Sequence, residues 1–289
     1  MAEVLGIDVG GSEVKGALVD TRRGALLTPP TRIPTPHPSH PTAIAGVIRA
    51  IVDGFGWDGP IGCAFPAPIV DGIITIADNV DPSWVGRDGA SLLAGAIEHP
   101  ITLLNDGDAA AVAEHRFGAA APTGTVLVLT FGTGVGSGLL HDGHLVPNTE
   151  LGHLYFEGTD LESYAAARAI TREGLDDDSW SARANAAMRH LCKVLSPAQI
   201  VVGGGISERF EQLRLGEGLP VPVVPARFGN DAGIVGAALA AAVDTPTVGP
   251  THNGVSATGE DHGVLARELL STTSRGAAAD GSTTEGEPR

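Results

Sequence analysis

Residues 4–19 read VLGIDVGGSEVKGALV, in which two apolar runs flank a short Gly-Gly-Ser segment. Runs of this length are typical of β-strands, and a glycine pair between them is typical of a hairpin turn. We therefore predict strands over Val4–Val9 and Val14–Val19, joined as a β-hairpin. No helical apolar periodicity follows the glycines, so the segment is not a strand-to-helix connection.

The turn of this hairpin carries the first candidate phosphate-binding residues. Gly10 and Gly11, with Ser12 beside them, expose backbone N–H groups and allow a phosphate to approach closely. Asp8 at the end of the first strand could hold a magnesium-bound water, and Lys15 could contact a phosphate. An ordinary glycine-rich hairpin with a solvated lysine is the alternative interpretation.

A second glycine segment, TFGTGVGSG at residues 130–138, follows a predicted strand over Val126–Thr130. We predict that residues 132–138 form a loop and that the next strand begins at Leu139 and Leu140. A Rossmann dinucleotide loop requires a helix at this point, so a second phosphate-holding hairpin fits better. A tight β-turn with packing glycines is the alternative.

The rest of the chain contains further segments with helical or strand patterns. Helical apolar spacing occurs in Ala43–Phe55, Ala90–Ile97, Gly107–Phe117, Leu161–Arg172, Ala182–Leu195 and Ala232–Val243. Further strands are predicted over Ile61–Phe65, Ile69–Ile76 (turning near Asp71-Gly72), Ile101–Leu104, Ile200–Val202 and Val221–Val224. Residues 29–41 hold six prolines and predict a stiff surface connection with little regular structure. The composition of residues 245–289 predicts a disordered tail, with one candidate helix near Val264–Leu270.

Asn105 and Asp106 follow the strand predicted over Ile101–Leu104. Ligands of α/β sheets gather at the carboxyl ends of strands. A carboxylate there can accept the proton of a hydroxyl group during phosphoryl transfer, so Asp106 is a candidate general base. The alternative is that Asp106 only caps the helix predicted over Gly107–Phe117.

The segment NTELGH, residues 148–153, places Glu150 and His153 three positions apart, where they could share one helical face. Such a pair suits either a metal or the hydroxyl groups of a sugar. A metal needs a third ligand, and no cysteine is nearby. A lone histidine satisfied within the protein is the alternative. Glu162, at the start of a predicted helix, is unremarkable by itself.

Three glycines, Gly203–Gly205, follow the strand predicted over Ile200–Val202. A helix N-terminus preceded by glycines is a natural place for a nucleotide or phosphate. A close-packed corner between strand and helix is the alternative.

The chain is strongly acidic, with 34 acidic and 18 basic residues and a net charge of −16. Lys15 and Lys193 are its only lysines. This charge repels nucleic acid and anionic membranes, so we exclude both as general partners. It also repels a phosphorylated substrate, unless a local site or a divalent cation compensates.

The two cysteines, Cys63 and Cys192, form no disulfide framework and no zinc quartet, and they fit buried thiols in a reducing compartment. No basic segment precedes the first strand, so we expect no signal peptide. No apolar run approaches the about 20 residues that a membrane span needs. We expect a soluble cytoplasmic protein.

The order of the motifs along one chain is more specific than any single motif. GIDVGGS, ND, FGTGVGSG, ELGH and GGGIS follow one another, and this order closely resembles the ROK family of sugar kinases. The resemblance covers about residues 4–243. Four further stretches, at residues 54–57, 79–84, 147–150 and 230–237, are similar to the polyphosphate glucokinase branch of the family.

The resemblance implies an actin-like, ribonuclease H-like α/β fold with two domains around a cleft. The N-terminal domain would span residues 1–104 and would be completed by the helix at about 232–243. Residues 105–230 would form the C-terminal domain. Closure of the domains would exclude water, which otherwise competes as the phosphoryl acceptor. Relatives are often dimers, so we expect a homodimer.

The resemblance also implies a glucokinase that transfers a phosphoryl group from polyphosphate, ATP or both, with Mg²⁺, to the 6-hydroxyl of glucose. Asp106 would be the general base. The other sugar hydroxyls would bond to Asn79, Asn105, Glu150, His153 and Glu162. The donor phosphates would bind to Asp8, Gly10, Gly11, Ser12, Lys15, Gly132, Thr133, Gly134, Gly136, Gly204 and Gly205.

Two alternatives to this function stay open. One is a kinase that uses only ATP and acts on glucose or another hexose, such as mannose or an N-acetylhexosamine. The other is a non-catalytic ROK sugar sensor. Repressors of the family carry a helix-turn-helix before the kinase-like part, and we expect none here because that part begins by Val4.

The chain departs from the family pattern at three places. Glu157–Leu161 replaces the usual cysteine-rich zinc motif, as in polyphosphate glucokinases, so we expect no structural zinc. Pro66-Ala67 replaces the usual Pro-Gly near the sugar, which would narrow one wall of the site. The loop at residues 118–124 lacks the basic residues of polyphosphate-using relatives, so both donors stay candidates.

Overall fold

The computed structural model describes residues 3–244, which form two main β-sheets with seven helices. The strands are β1 (Glu3–Val9), β2 (Glu13–Asp20), β3 (Ala25–Leu26), β4 (Thr31–Pro34), β5 (Ile61–Phe65), β6 (Ile69–Val70), β7 (Ile73–Ile74), β8 (Ile101–Asn105), β9 (Thr125–Phe131), β10 (Val135–His141), β11 (His144–Val146), β12 (Tyr155–Phe156), β13 (Thr159–Asp160), β14 (Gln199–Gly203) and β15 (Val223–Pro225). The helices are α1 (Pro41–Phe55), α2 (Gly89–Ile97), α3 (Asp106–Phe117), α4 (Leu161–Ala165), α5 (Arg168–Glu173), α6 (Asp177–Leu195) and α7 (Ala232–Asp244). The predicted tail at residues 245–289 and its candidate helix lie outside the described residues.

Both main sheets combine a β-hairpin with parallel strands. The first has the order β3-β2-β1-β5-β8, with β4 also paired to β2, and the second has the order β11-β10-β9-β14-β15. The pairs β1–β2 and β9–β10 are antiparallel, whereas β1, β5 and β8 run parallel, as do β9, β14 and β15. The structure therefore confirms both predicted hairpins.

Each sheet has its own core against helices. In α1, the buried residues Ile44, Ile48 and Ile51 recur at helical spacing on one face. In the second core, Trp180 of α6 meets Phe131 of β9 edge-on, with ring centroids 5.7 Å apart. These amphipathic patterns explain why both helices are evident in the sequence.

Two helices join the sheets: α7 packs on the first sheet, α3 packs on the second, and the two helices pack against each other. Small residues allow this close approach. A Cβ on Gly62 would lie 1.9 Å from the carbonyl oxygen of Ala237, and one on Gly236 would lie 1.8 Å from that of Ala109. The crossing therefore holds α3, which begins at Asp106, in one position.

The proline-rich connection contains more regular structure than predicted. Thr31–Pro34 forms β4, which pairs antiparallel with the first half of β2. Proline lacks a donor for the ladder and is tolerated on edge strands, which is where Pro34 lies. The prediction of little regular structure at residues 29–41 is therefore wrong for these four residues.

The second hairpin turn is shorter than predicted. The strand begins at Val135 rather than Leu139, so the loop is restricted to residues 132–134. A Cβ on Gly136 would lie 2.5 Å from Thr130 Oγ1, and one on Gly138 would lie 2.5 Å from the backbone of α3. These two glycines therefore belong to a strand that packs closely against its neighbours.

The helix predicted over Leu161–Arg172 is two short helices. The backbone is extended at Ala166, between α4 and α5. The buried indole of Trp180 donates to the carbonyl oxygens of Ala165 and Ala166, at 3.1 and 3.2 Å. The break between the two helices is therefore accompanied by a tertiary contact with Trp180, which the local sequence does not show. The helix predicted after Gly203–Gly205 is likewise only a 3₁₀ segment, Gly205–Arg209.

Candidate active site

One pocket gathers the predicted site residues near the carboxyl ends of β1 and β8 and beside the turns of both hairpins. Among the described residues, all of the predicted site except Asn105 and Ser12 line it: Asp8, Gly10, Gly11, Lys15, Asn79, Asp106, Gly132, Thr133, Gly134, Gly136, Glu150, His153, Glu162, Gly204 and Gly205. Their binding roles remain predictions, but their convergence is a property of the fold.

Asp106 is the first residue of α3 and lies in the pocket. Its Oδ1 accepts the N–H of Gly107 at 2.8 Å. Burial raises the pKa of Asp106 to about 7, and the negative charges of Asp8 and Glu150 contribute to the rise. A carboxylate with this pKa is suited to accept a proton from a hydroxyl group near neutral pH.

Asn105, not Asp106, caps α3, so the capping interpretation of Asp106 is wrong. Asn105 Oδ1 accepts the N–H of Asp108 at 3.1 Å, and its Nδ2 donates to Glu150 Oε1 at 3.0 Å. Asn105 is only 4% exposed and is not among the residues that line the pocket. The sugar contact expected of Asn105 stays a prediction, and in this structure its side chain holds Glu150.

Ser12 is exposed at the turn of the first hairpin and is not part of the described pocket lining. Its carbonyl oxygen accepts the N–H of Thr35 at 3.0 Å. The role of Ser12 in phosphate binding stays a prediction. The neighbouring glycines, Gly10 and Gly11, do line the pocket.

His153 faces two carboxylates at one end of the pocket. Its Nε2 lies 3.4 Å from Asp78 Oδ2 and 3.8 Å from Glu150 Oε2. Burial raises the pKa of Glu150. Glu150 immediately precedes a single 3₁₀ turn and His153 ends it, so the two residues do not share the face of a longer helix. This end of the pocket offers carboxylate and imidazole groups that can bond to several hydroxyls at once.

Glu162 stands in the first turn of α4 and reaches the turn of the second hairpin. Its Oε2 accepts the N–H of Val135 at 3.0 Å, and its Oε1 lies 3.1 Å from the guanidinium of Arg168. A Cβ on Gly134 would lie 2.3 Å from Glu162 Oε2. The residue that the sequence left unremarkable is therefore in direct contact with the glycine turn.

The turns of the two hairpins lie next to each other. The N–H of Gly10 donates to the carbonyl of Glu13 at 3.0 Å, and that of Gly132 donates to the carbonyl of Gly134 at 2.9 Å. A Cβ on Gly11 would lie 3.8 Å from Thr133 Cγ2. Since the glycines carry no side chains, a phosphate chain can approach the backbone of both turns.

Lys15 is not the solvated lysine of the alternative interpretation. It is 4% exposed, and its Nζ lies 3.0 Å from Asp8 Oδ2 and 2.6 Å from the carbonyl oxygen of Asn230. The hairpin register places Asp8 directly opposite Lys15, which explains the ion pair. Lys15 therefore brings a positive charge to the pocket that Asp8 partly neutralises.

Three lining residues with polar side chains were missed by sequence reasoning: Asp78, Thr130 and Asn230. Asp78 stands next to the predicted Asn79, and Asn230 begins a stretch that resembles the family, so both carried a weak signal. Thr130 ended a predicted strand, and nothing in the sequence marked its side chain.

The pocket is acidic. Its described lining includes five carboxylates, from Asp8, Asp78, Asp106, Glu150 and Glu162, and one lysine. Within residues 3–244, no three ligating side chains converge as a metal site. In the same part of the chain, no helix has both the length and the apolar character needed to cross a bilayer.

Known proteins resemble this chain over most of its length. The ROK family matches residues 4–174. The polyphosphate glucokinase of Mycobacterium tuberculosis (strain CDC 1551 / Oshkosh) is 40% identical over 243 residues, which cover 83% of this chain and 91% of that protein.

Two solved structures resemble this fold. The inorganic polyphosphate/ATP-glucomannokinase of Arthrobacter sp. strain KM is 41% identical, with a TM-score of 0.81 over 85% of this chain and 100% of that one. A ROK family glucokinase from Streptomyces griseus, solved with glucose and AMPPNP, is 24% identical, with a TM-score of 0.72 over 83% of this chain and 99% of that one. At 24% identity the second similarity concerns the fold alone.

Proposed function

The chain belongs to the ROK family, and from this premise we propose that it is a glucokinase that phosphorylates the 6-hydroxyl group of glucose. The predicted fold class is confirmed, because the solved ROK sugar kinases that it matches have the actin-like two-domain fold. The non-catalytic sensor is disfavoured, since relatives at 40% identity are phosphotransferases.

The observation that carries the proposal is the position of Asp106. Its carboxylate lies in a pocket with the side chains that would bind the sugar and with two glycine turns suited to phosphates. Burial raises the pKa of Asp106 to about 7, so a large fraction of the carboxylate is free to accept a proton at neutral pH. Asp106 would accept the proton of the 6-hydroxyl as its oxygen attacks the phosphoryl group.

The sugar would bind between Asp106 and His153. Glu150, His153, Asn79 and Glu162 present carboxylate, imidazole and amide groups to the pocket, and Asn105 orients Glu150 from behind. A sugar with an inverted hydroxyl would leave some of these buried groups unpaired, which costs affinity.

The donor phosphates would lie along the two glycine turns, near Lys15. We propose polyphosphate and ATP as donors, in line with the polyphosphate/ATP-glucomannokinase that is 41% identical. The acidic lining repels a polyanion, so a divalent cation must compensate.

The donor set of the pocket suits Mg²⁺, which prefers carboxylate and phosphate oxygens. Asp8 and Asp106 both line the pocket beside the glycine turns. Since no three ligating side chains converge in the described residues, the phosphates of the donor would supply most of the ligands. Bound Mg²⁺ would neutralise charge on the transferring phosphoryl group.

We extend the proposal to domain organisation, assembly and location. Residues 1–104 with helix 232–243 would form one domain and residues 105–230 the other, closing on the sugar. The enzyme would work in the cytoplasm as a homodimer, without nucleic acid or membrane partners, which the net charge of −16 disfavours. Light scattering on the purified full chain tests the dimer, and small-angle scattering with and without glucose tests the closure.

The experiment that tests the function measures glucose 6-phosphate formation with Mg²⁺ and either polyphosphate or ATP. We expect product with both donors, and a strict requirement for the cation. Mannose is assayed beside glucose, because the 41% identical structure is that of a glucomannokinase. N-acetylglucosamine tests the remaining alternative sugar. No product from glucose with either donor would contradict the proposal.

A further inference from the structure

Asp108 is a buried carboxylate that the proposed mechanism does not use. It lies in the first turn of α3, two residues after Asp106, and is 2% exposed. Its Oδ2 accepts the backbone N–H of Asn148 at 2.8 Å. Its Oδ1 is buried without a hydrogen-bond partner among the described residues. Burying such a group is costly, so its retention calls for a role.

Asn148 extends this contact to the other side of the pocket. Its Oδ1 accepts the N–H of Ile69 at 2.8 Å, and its Nδ2 donates to the carbonyl of Ile69 at 2.8 Å. Ile69 directly follows Pro66–Pro68, which lines the pocket. Asn148 has a φ of 59°, in the left-handed region that asparagine tolerates better than most residues.

The segment that Asn148 begins carries Glu150. Thr149 bonds to Ser137 of β10 through both its backbone carbonyl and its Oγ1, and the N–H of Leu151 donates to Ser137 Oγ at 3.0 Å. Residues 148–151 are therefore attached to three elements: α3 through Asp108, β6 through Ile69 and β10 through Ser137. Glu150, in the middle of the segment, has little freedom to move.

We propose that Asp108 and Asn148 are positioning residues for sugar binding, which fix Glu150 relative to Asp106 and to the Pro66–Pro68 wall. The inference rests on the proposed function, because Glu150 is the expected sugar contact. Asp108 fixes the position of the segment relative to α3, and the two bonds of Asn148 fix its distance from β6. Neither residue touches the sugar or the donor.

The test is a comparison of kinetic constants for the variant Asn148→Gly in the full chain. Glycine accepts the left-handed backbone and keeps the N–H that donates to Asp108, so only the two bonds to Ile69 are lost. Because the loss of both bonds releases the segment that carries Glu150, we expect the KM for glucose to rise about tenfold. The KM for the phosphate donor should stay at its wild-type value, because the segment does not touch the glycine turns.

Three further variants at the positioning residues complete the comparison. Asn148→Asp keeps the shape and one acceptor but loses the Nδ2 donor, and it also should raise the KM for glucose. Asp108→Asn keeps an oxygen that can accept from Asn148, and it should restore most of the affinity that Asp108→Ala loses.

Asn185 offers a matched control. Its side chain also bonds to two backbone groups, accepting from Gly216 at 2.8 Å and donating to Arg214 at 3.3 Å, in α6 away from the pocket. Asn185→Ala should lower stability without changing the KM for glucose. An unchanged KM in Asn148→Gly, or in Asn148→Asp if the first variant does not fold, overturns the inference. Failure of the wild-type enzyme to phosphorylate glucose would instead refute the proposed function, so the two failures are distinguishable.

Discussion

Replacing Asp106 by asparagine should stabilise the folded protein above neutral pH. The substitution keeps the size of the side chain and removes the charge that the pocket disfavours. Burial raises the pKa of Asp106 from 3.8 to about 7, with contributions from Asp8 and Glu150. The folded state therefore prefers the protonated form, whereas the unfolded chain ionises at the lower pH.

The sign of the pH dependence follows from linkage. Below pH 3.8 the carboxyl group is protonated in both the folded and the unfolded state, so it does not lower the free energy of unfolding. As pH rises from 3.8 to about 7, only the unfolded state ionises, so the wild-type protein loses stability. Above pH 7 the loss is complete and constant.

The size of the effect follows from the shift. A rise in the pKa from 3.8 to about 7 corresponds to a loss of about 4 kcal/mol in the free energy of unfolding, before screening by solvent is considered. Asp106 retains some contact with the solvent in the pocket, and screening reduces this value. We expect Asp106→Asn to be more stable than the wild type by about 1–2 kcal/mol at pH 8, and by less at pH 5.

Urea denaturation between pH 5 and 8 measures this difference, with the fluorescence of the buried Trp84 and Trp180 as the signal. Asp58→Asn, at an exposed position, controls for the change in net charge. A stability difference between Asp106→Asn and the wild type that does not change with pH would refute the reasoning.

Three further predictions follow from the same structure. Gly236→Ala should lower the free energy of unfolding by about 3 kcal/mol, because its Cβ would lie 1.8 Å from the carbonyl oxygen of Ala109. Gly54→Ala, where a Cβ meets nothing within 4 Å, is the control in the same urea titrations, and equal effects would contradict the packing argument. Lys15→Met should lower the free energy of unfolding by about 3 kcal/mol and remove most of the activity, because it leaves Asp8 without its buried ion-pair partner. Urea denaturation and activity assays measure the two losses, and a variant as stable as the wild type would contradict this prediction. The wild-type kcat should rise with pH through about 7, as the general base ionises, and a flat profile from pH 5.5 to 8 would count against this assignment.

The hairpins and most helices are predictable because their signals are local. The apolar runs on either side of Gly10 and Gly11 are enough to predict the hairpin turn. The spacing of Ile44, Ile48 and Ile51 is enough to predict helix α1. The break between α4 and α5 was not predictable, because the partner that accompanies it, the indole of Trp180, is distant in sequence.

The candidate site was predictable as a set but not in its internal roles. The order of the motifs along the chain predicted which residues form the site. Which of Asn105 and Asp106 caps α3 depends on the three-dimensional geometry of the helix start. Asp78 is near His153 only because two distant loops meet, so no local pattern could have identified it.

Glucose 6-phosphate formation by Asp106→Asn and the wild type, at pH 8 with Mg²⁺ and each donor, tests the central claim most directly. The account predicts a fall in kcat of at least about 10²-fold with both donors, because general bases typically contribute 10²–10⁴-fold. Calorimetry should show that the variant still binds glucose. Turnover near the wild-type rate would contradict the assignment of Asp106 as the general base.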